Sequence, residues 1–189
     1  MQAEAFTGGF ADTPVDAARA FRAVMSAIAR PGRIETVAGA VPPAPLSVAA
    51  GTLILTVCDA GTPVYLAGDH DTPGVRDWIT FHTGAPLVGP GQAMFAVGTW
   101  DAVAPLSAYA TGTPEYPDRS ATLIVEMDTL APSGAGLSGP GIEARAALSL
   151  PETAAFQANA RLFPLGLDFF LTCGDRVAGL PRTTRVEDA

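Results

Sequence analysis

The 189-residue chain has no lysine: all 11 of its basic residues are arginine. A pyridoxal-phosphate enzyme forms its Schiff base on lysine, and a Walker A loop sets a lysine on the phosphates. Neither mechanism can run on residues of this chain. Arginine-rich usage often accompanies GC-rich coding, but the chemical exclusion holds whatever its cause. Cysteine and histidine are also scarce. Cys58 and Cys173 sit in apolar runs and read as small buried thiols. With only His70 and His82 beside them, no metal-ligand spacing arises, so no metal site is expected. Excess basic charge is lacking too. A net charge of −8 leaves no basic face for nucleic acid and no basic run for an anionic membrane. No window is apolar enough to span a bilayer. The N-terminus carries Glu4 where a signal peptide carries basic residues, so the chain reads as cytoplasmic.

What is present is the composition of a folded domain: 48% apolar residues, with 20 Gly and 17 Pro spread along the chain. The length suits one domain, 1–189. Asp12-Thr-Pro14 starts a helix, and Phe21, Val24, Met25 and Ile28 form its apolar stripe. Pro31-Gly32 stops it before a short strand at 33–37. A Pro-rich loop covers 40–45. The run 46–58 is ambiguous, with β-branched residues favouring a strand and its length a helix. A strand at 63–66 is followed by a helix from Thr72 through Val75, Trp78, Ile79 and His82. Further strands are expected at 93–97 and 121–127. A short helix or ordered loop is expected at 103–109, and a loop of turn formers at 111–118. Segment 133–141 reads as a Gly-rich connector, 148–150 as a short strand and 151–161 as a helix opened by Pro151. A hairpin of 167–172 and 177–180 closes the chain. Helices alternating with strands, with hairpin turns among them, imply a three-layer α/β/α fold with a mixed sheet.

Three segments carry polar groups that suit an anion. In Gly134-Ala-Gly-Leu-Ser-Gly-Pro-Gly141, glycines let backbone N–H groups approach a phosphate, with Arg145 close behind. The alternative is a turn between strands. In Phe81-His-Thr-Gly, His82 sits at a helix C-terminus, where the dipole favours a cation, and Thr83 offers a hydroxyl. The alternative is helix capping. In Pro181-Arg-Thr-Thr-Arg185, Arg182 and Thr183 either meet an anion or partner, or Arg182 pairs internally with Asp168 or Asp175. No Ser–His–Asp, Cys–His or paired-carboxylate pattern stands out.

The tail, Leu167-Asp-Phe-Phe-Leu-Thr-Cys-Gly-Asp-Arg-Val-Ala-Gly-Leu-Pro-Arg-Thr-Thr-Arg-Val-Glu187, resembles the end of the PhnH family of carbon–phosphorus lyase subunits. Blocks in the same order extend the resemblance: Phe21-Arg-Ala-Val-Met-Ser-Ala-Ile-Ala-Arg-Pro-Gly32, Asp59-Ala-Gly-Thr-Pro-Val-Tyr-Leu66, Phe81-His-Thr-Gly-Ala-Pro-Leu-Val88, Ala121-Thr-Leu-Ile-Val125, Gly139-Pro-Gly-Ile142 and Phe163-Pro-Leu-Gly-Leu-Asp168. The resemblance implies a helix at 46–58 and a fold like that of pyridoxal-phosphate-dependent transferases without the cofactor. It implies a homodimer in a complex with the G, I and J subunits. That complex supports formation of a ribose 1-phosphonate 5-triphosphate from ATP and an alkylphosphonate, as a multi-subunit transferase. Within it this chain is expected to be structural or, alternatively, to contact the phosphonate or nucleotide directly. His82, Thr83, Gly139, Gly141, Ile142, Asp168, Arg182 and Thr183 match family positions, and no residue is implied to be catalytic.

Overall fold

The computed structural model describes residues 6–188. Helix α1, Thr13–Ala29, carries Pro14 in its first turn and ends before Gly32, whose φ of +91° turns the chain into β1, Ile34–Thr36. Helix α2, Val48–Val57, starts where Ser47 Oγ accepts the Ala50 N–H at 3.1 Å. Strand β2, Val64–Leu66, leads to α3, Pro73–Thr83. There Thr72 Oγ1 accepts the Val75 N–H, and Gly84 adopts a left-handed φ of +71° at the C-terminus. Next come β3, Phe95–Thr99; α4, Trp100–Val103; β4, Thr122–Glu126; β5, Ala135–Ser138; and β6, Ala146–Leu148. Helix α5, Ala154–Ala160, precedes β7, Asp168–Cys173, β8, Arg176–Leu180, and β9, Arg185–Glu187.

Six strands form one mixed sheet in the order β1-β8-β7-β4-β3-β2. Strands β2, β3, β4 and β7 run parallel, while β8 is antiparallel to both β7 and β1. The strands bury both faces, which is why they read as nearly unbroken apolar runs. One face holds Val97, Ile124, Phe170 and Val177 against Val24 of α1, Leu53 and Ile54 of α2, and Trp78 and Ile79 of α3. The other holds Leu123, Val125, Phe169 and Leu171 against Val103 of α4, Phe156 of α5, and Leu137, Leu148 and Val186 of a second sheet ordered β6-β5-β9. The expected mixed sheet between layers is present. The second layer, however, contains a small sheet as well as short helices.

Several local expectations change. The connector 133–141 contains β5, because β6 and β9 pair with it from both sides. The strand expected at 148–150 lies at Ala146–Leu148, and α5 begins after Pro151 instead of on it. The 103–109 segment resolves into the end of α4 and a single 3-10 turn, Leu106–Ala108. On α1 the buried line is Ala20, Val24 and Ala27, with Ile28 half-buried. Phe21 and Met25 follow Ala20 and Val24 by one residue, about 100° round the helix. They are 51% and 46% exposed. Among the described residues, no helix is long and apolar enough to cross a membrane.

Candidate functional site

The β7–β8 hairpin fixes the geometry. Its register sets Phe169 opposite Leu180, so the residues beyond Pro181 return beside Asp168. The Arg182 backbone N–H donates to Asp168 Oδ1 at 2.8 Å, and its Nε donates to the same oxygen at 3.1 Å. Nη2 donates to Asp168 Oδ2 and Ser120 Oγ, and Nη1 donates to the Pro117 carbonyl at 2.7 Å. Of the alternatives for Arg182, the internal pair with Asp168 is therefore present. It ties the hairpin base to the 117–120 turn, with the arginine side chain 12% exposed.

The chain then turns, the Thr184 N–H donating to the Pro181 carbonyl at 2.9 Å, and enters β9. Strand β9 pairs with β5 so that Arg185 faces Ser138. Gly139 follows directly, at φ +129°, where a Cβ would stand 3.0 Å from the Thr183 carbonyl oxygen. Between these segments lies a cleft of about 540 Å³, lined by Gly139, Pro140, Phe163, Arg182, Thr183 and Arg185 among others. Three of the sequence candidates thus converge. Arg185 is exposed and, among the described residues, forms no ion pair.

The remaining candidates lie elsewhere. Gly141 packs on the end of α1, where a Cβ would come within 2.0 Å of the Ala29 carbonyl oxygen. Its glycine is required by that close approach, and 139–141 is the turn leaving β5. Arg145 pairs with Glu187 on the surface. His82 donates from Nε2 to the Thr7 carbonyl at 3.1 Å and packs against the rings of Trp78 and Phe81. It lines a separate cleft of about 310 Å³ with Gly9 and Phe10. Thr83 Oγ1 donates to the Ile79 carbonyl at 2.7 Å and accepts the Ala85 N–H at 3.0 Å, so its hydroxyl is engaged in ending α3. Arg182, His82 and Arg145 do not share a pocket.

Two polar residues escaped the sequence reading. Glu126, at the carboxyl end of β4, accepts the Ser47 N–H at 2.7 Å on Oε1 and the Thr172 hydroxyl at 2.9 Å on Oε2. It anchors the start of α2 to the sheet and lines a third cleft of about 410 Å³ with Thr99, Asp101 and Asp128. His70 is 4% exposed, and neither ring nitrogen has a hydrogen-bond partner among the described residues. Burial lowers its pKa, against the opposing pull of Glu126 and Asp69. The only sequence signals were a carboxylate closing an apolar run and a histidine between two aspartates. Among the described residues, no three His, Cys, Asp or Glu side chains are grouped to hold a metal ion.

This geometry suits anion contact at the Gly139–Arg185 cleft, and among the described residues it presents no nucleophile–base pair. Comparison with known proteins agrees with the blocks read in the sequence. The family model described as bacterial phosphonate metabolism protein (PhnH) matches residues 8–187. The alpha-D-ribose 1-methylphosphonate 5-triphosphate synthase subunit PhnH of Rhizobium meliloti (strain 1021) is 40% identical over 198 residues, covering 98% of each chain. The protein HtxG of Stutzerimonas stutzeri, described as a candidate C-P lyase subunit, is 28% identical over 181 residues, covering 88% of this chain and 84% of its own. Matched over nearly its whole length, the chain belongs to the PhnH family.

Proposed function

We propose that this chain is a single-domain, cytoplasmic subunit of a transferase assembly that makes alpha-D-ribose 1-methylphosphonate 5-triphosphate in phosphonate catabolism. Its part is to hold that assembly together. The relative from Rhizobium meliloti, with 98% mutual coverage, supports the pathway. One observation carries the structural role: Arg182, one of the sequence's ligand candidates, is locked by Asp168, Ser120 and the Pro117 carbonyl, apart from His82 and Arg145. The partners are a second copy and the G, I and J subunits. Exposed Phe21 and Met25 on α1 provide apolar surface for such contacts. Parallel strands joined through helices suit a fold like that of pyridoxal-phosphate-dependent transferases. With no lysine in the chain, that cofactor's covalent chemistry has no attachment point here.

Co-expression with the partner subunits tests the proposal. The wild-type chain should co-purify in a complex and sediment as a dimer when alone. A Phe21→Asp, Met25→Asp variant should stay folded and lose one of these associations. A chain that is monomeric and fails to join the complex overturns the reading. A second reading, direct contact with a phosphorylated ligand, is favoured by the Gly139–Arg185 cleft.

A further inference from the structure

We infer that the cleft between Gly139 and Arg185 binds a phosphate monoester carrying a flat ring, with Arg185 on the anionic head and Phe163 against the ring. The inference rests on the second reading above and deepens it.

The charge of the cleft comes first. Its lining includes two arginines and no carboxylate. Asp168, behind the cleft, neutralises Arg182 and fixes it as a wall. Arg185 and Glu187 lie two apart on β9 and so on one face of the strand, while Val186 between them is buried. Glu187 is drawn to Arg145, which leaves Arg185 with no acidic partner among the described residues. An unpaired guanidinium on a cleft that Thr183 and the Gly139 backbone also line, in a chain of net charge −8, is a local site for an anion. Arginine's planar fork matches phosphate oxygens two at a time.

Shape and surface decide the rest of the ligand. A cavity of about 540 Å³ far exceeds a bare phosphate and lies in the range that holds small organic molecules, about 300–1,000 Å³. Its other walls are Pro140, Ala160 and Phe163. Phe163 is 61% exposed, so an aromatic face is open to solvent at the same cleft as the free guanidinium. Exposed aromatic faces gain by stacking a flat ring. A free guanidinium and an open ring on the walls of one cleft select a phosphorylated ring compound over either an inorganic anion or a small alkyl anion.

The test is calorimetric titration of the full chain with adenosine 5′-monophosphate, inorganic phosphate, adenosine and methylphosphonate. The monophosphate should bind at least about tenfold more tightly than each of the other three, because only it engages both groups. Arg185→Ala and Phe163→Ala should each weaken it by about tenfold or more with the melting temperature kept. Equal binding of the monophosphate and phosphate overturns the inference, as does no binding or indifference to both substitutions in folded protein. The same variants are then co-purified with the partner subunits. Lost ligand binding with intact assembly supports the site. Lost assembly on Arg185→Ala makes this arginine a subunit contact and overturns it. A wild-type chain that assembles yet binds no monophosphate sinks this inference alone and leaves the assembly role standing.

Discussion

Arg182 and Asp168 meet across the open end of the β7–β8 hairpin, where one carboxylate oxygen accepts both the backbone N–H at 2.8 Å and Nε at 3.1 Å. Two points of attachment to a single oxygen fix both the chain path and the side chain. The remaining guanidinium nitrogens reach Ser120 and the Pro117 carbonyl, so the start of β7 and the 117–120 turn both depend on one arginine.

Arg182→Ala is therefore expected to destabilise the fold by about 2–4 kcal/mol, since it strips partners from a half-buried carboxylate and a turn carbonyl. Arg182→Lys should recover only part of this, for lack of the planar fork. Thermal unfolding of both variants checks it. An unchanged melting temperature for Arg182→Ala would show that the network contributes little.

Asn159 on α5 plays a related part at the start of β7. Its Nδ2 donates to the Leu167 carbonyl and its Oδ1 accepts the Leu167 N–H, both at 2.8 Å. Asn159→Ala should cost about 2–4 kcal/mol, because both backbone groups are left buried and unpaired. Asn159→Asp should also destabilise, since a carboxylate cannot donate to the carbonyl. Urea midpoints measure this, and equal midpoints for wild type and Asn159→Ala would refute it.

His70 predicts a pH dependence. Burial holds its folded pKa below the ordinary 6.5, although Glu126 and Asp69 pull the other way. Above that value the ring is neutral in both folded and unfolded chains, and its contribution is full. As pH falls through 6.5 the unfolded chain takes up a proton that the folded chain resists, so stability is lost. His70→Leu should flatten the decline between neutral and mildly acidic pH. Denaturation midpoints across that range decide it, and a variant with the wild-type slope would place the dependence on other groups.

The two thiols should differ in reactivity. Burial, helped by Asp59, pushes Cys58 up to about 12, so it holds almost no thiolate at mildly alkaline pH. Cys173 is only partly buried. Iodoacetamide at pH 8 should modify Cys173 first and reach Cys58 only after denaturant is added. Peptide mass spectrometry reads the order, and early labelling of Cys58 in native protein would contradict its burial.

Features governed by local rules were legible in the chain alone. The absence of lysine, the Pro14, Thr72 and Gly84 helix boundaries and the apolar runs at β4 and β7 are legible because each depends on nearby residues alone. The family was legible for a different reason, as ordered blocks spread along the chain. Tertiary structure decided the rest. Strand β5 became visible only through β6 and β9, since a Gly-rich segment has little strand preference until partners take its backbone groups. Which face of α1 is buried depended on the sheet below, and that left Phe21 and Met25 outside. Arg182 had two aspartates within reach in sequence, and hairpin register chose Asp168. Glu126 and His70 gained meaning only when the ends of separate strands came together, because burial and charge pairing depend on distance in space and not along the chain.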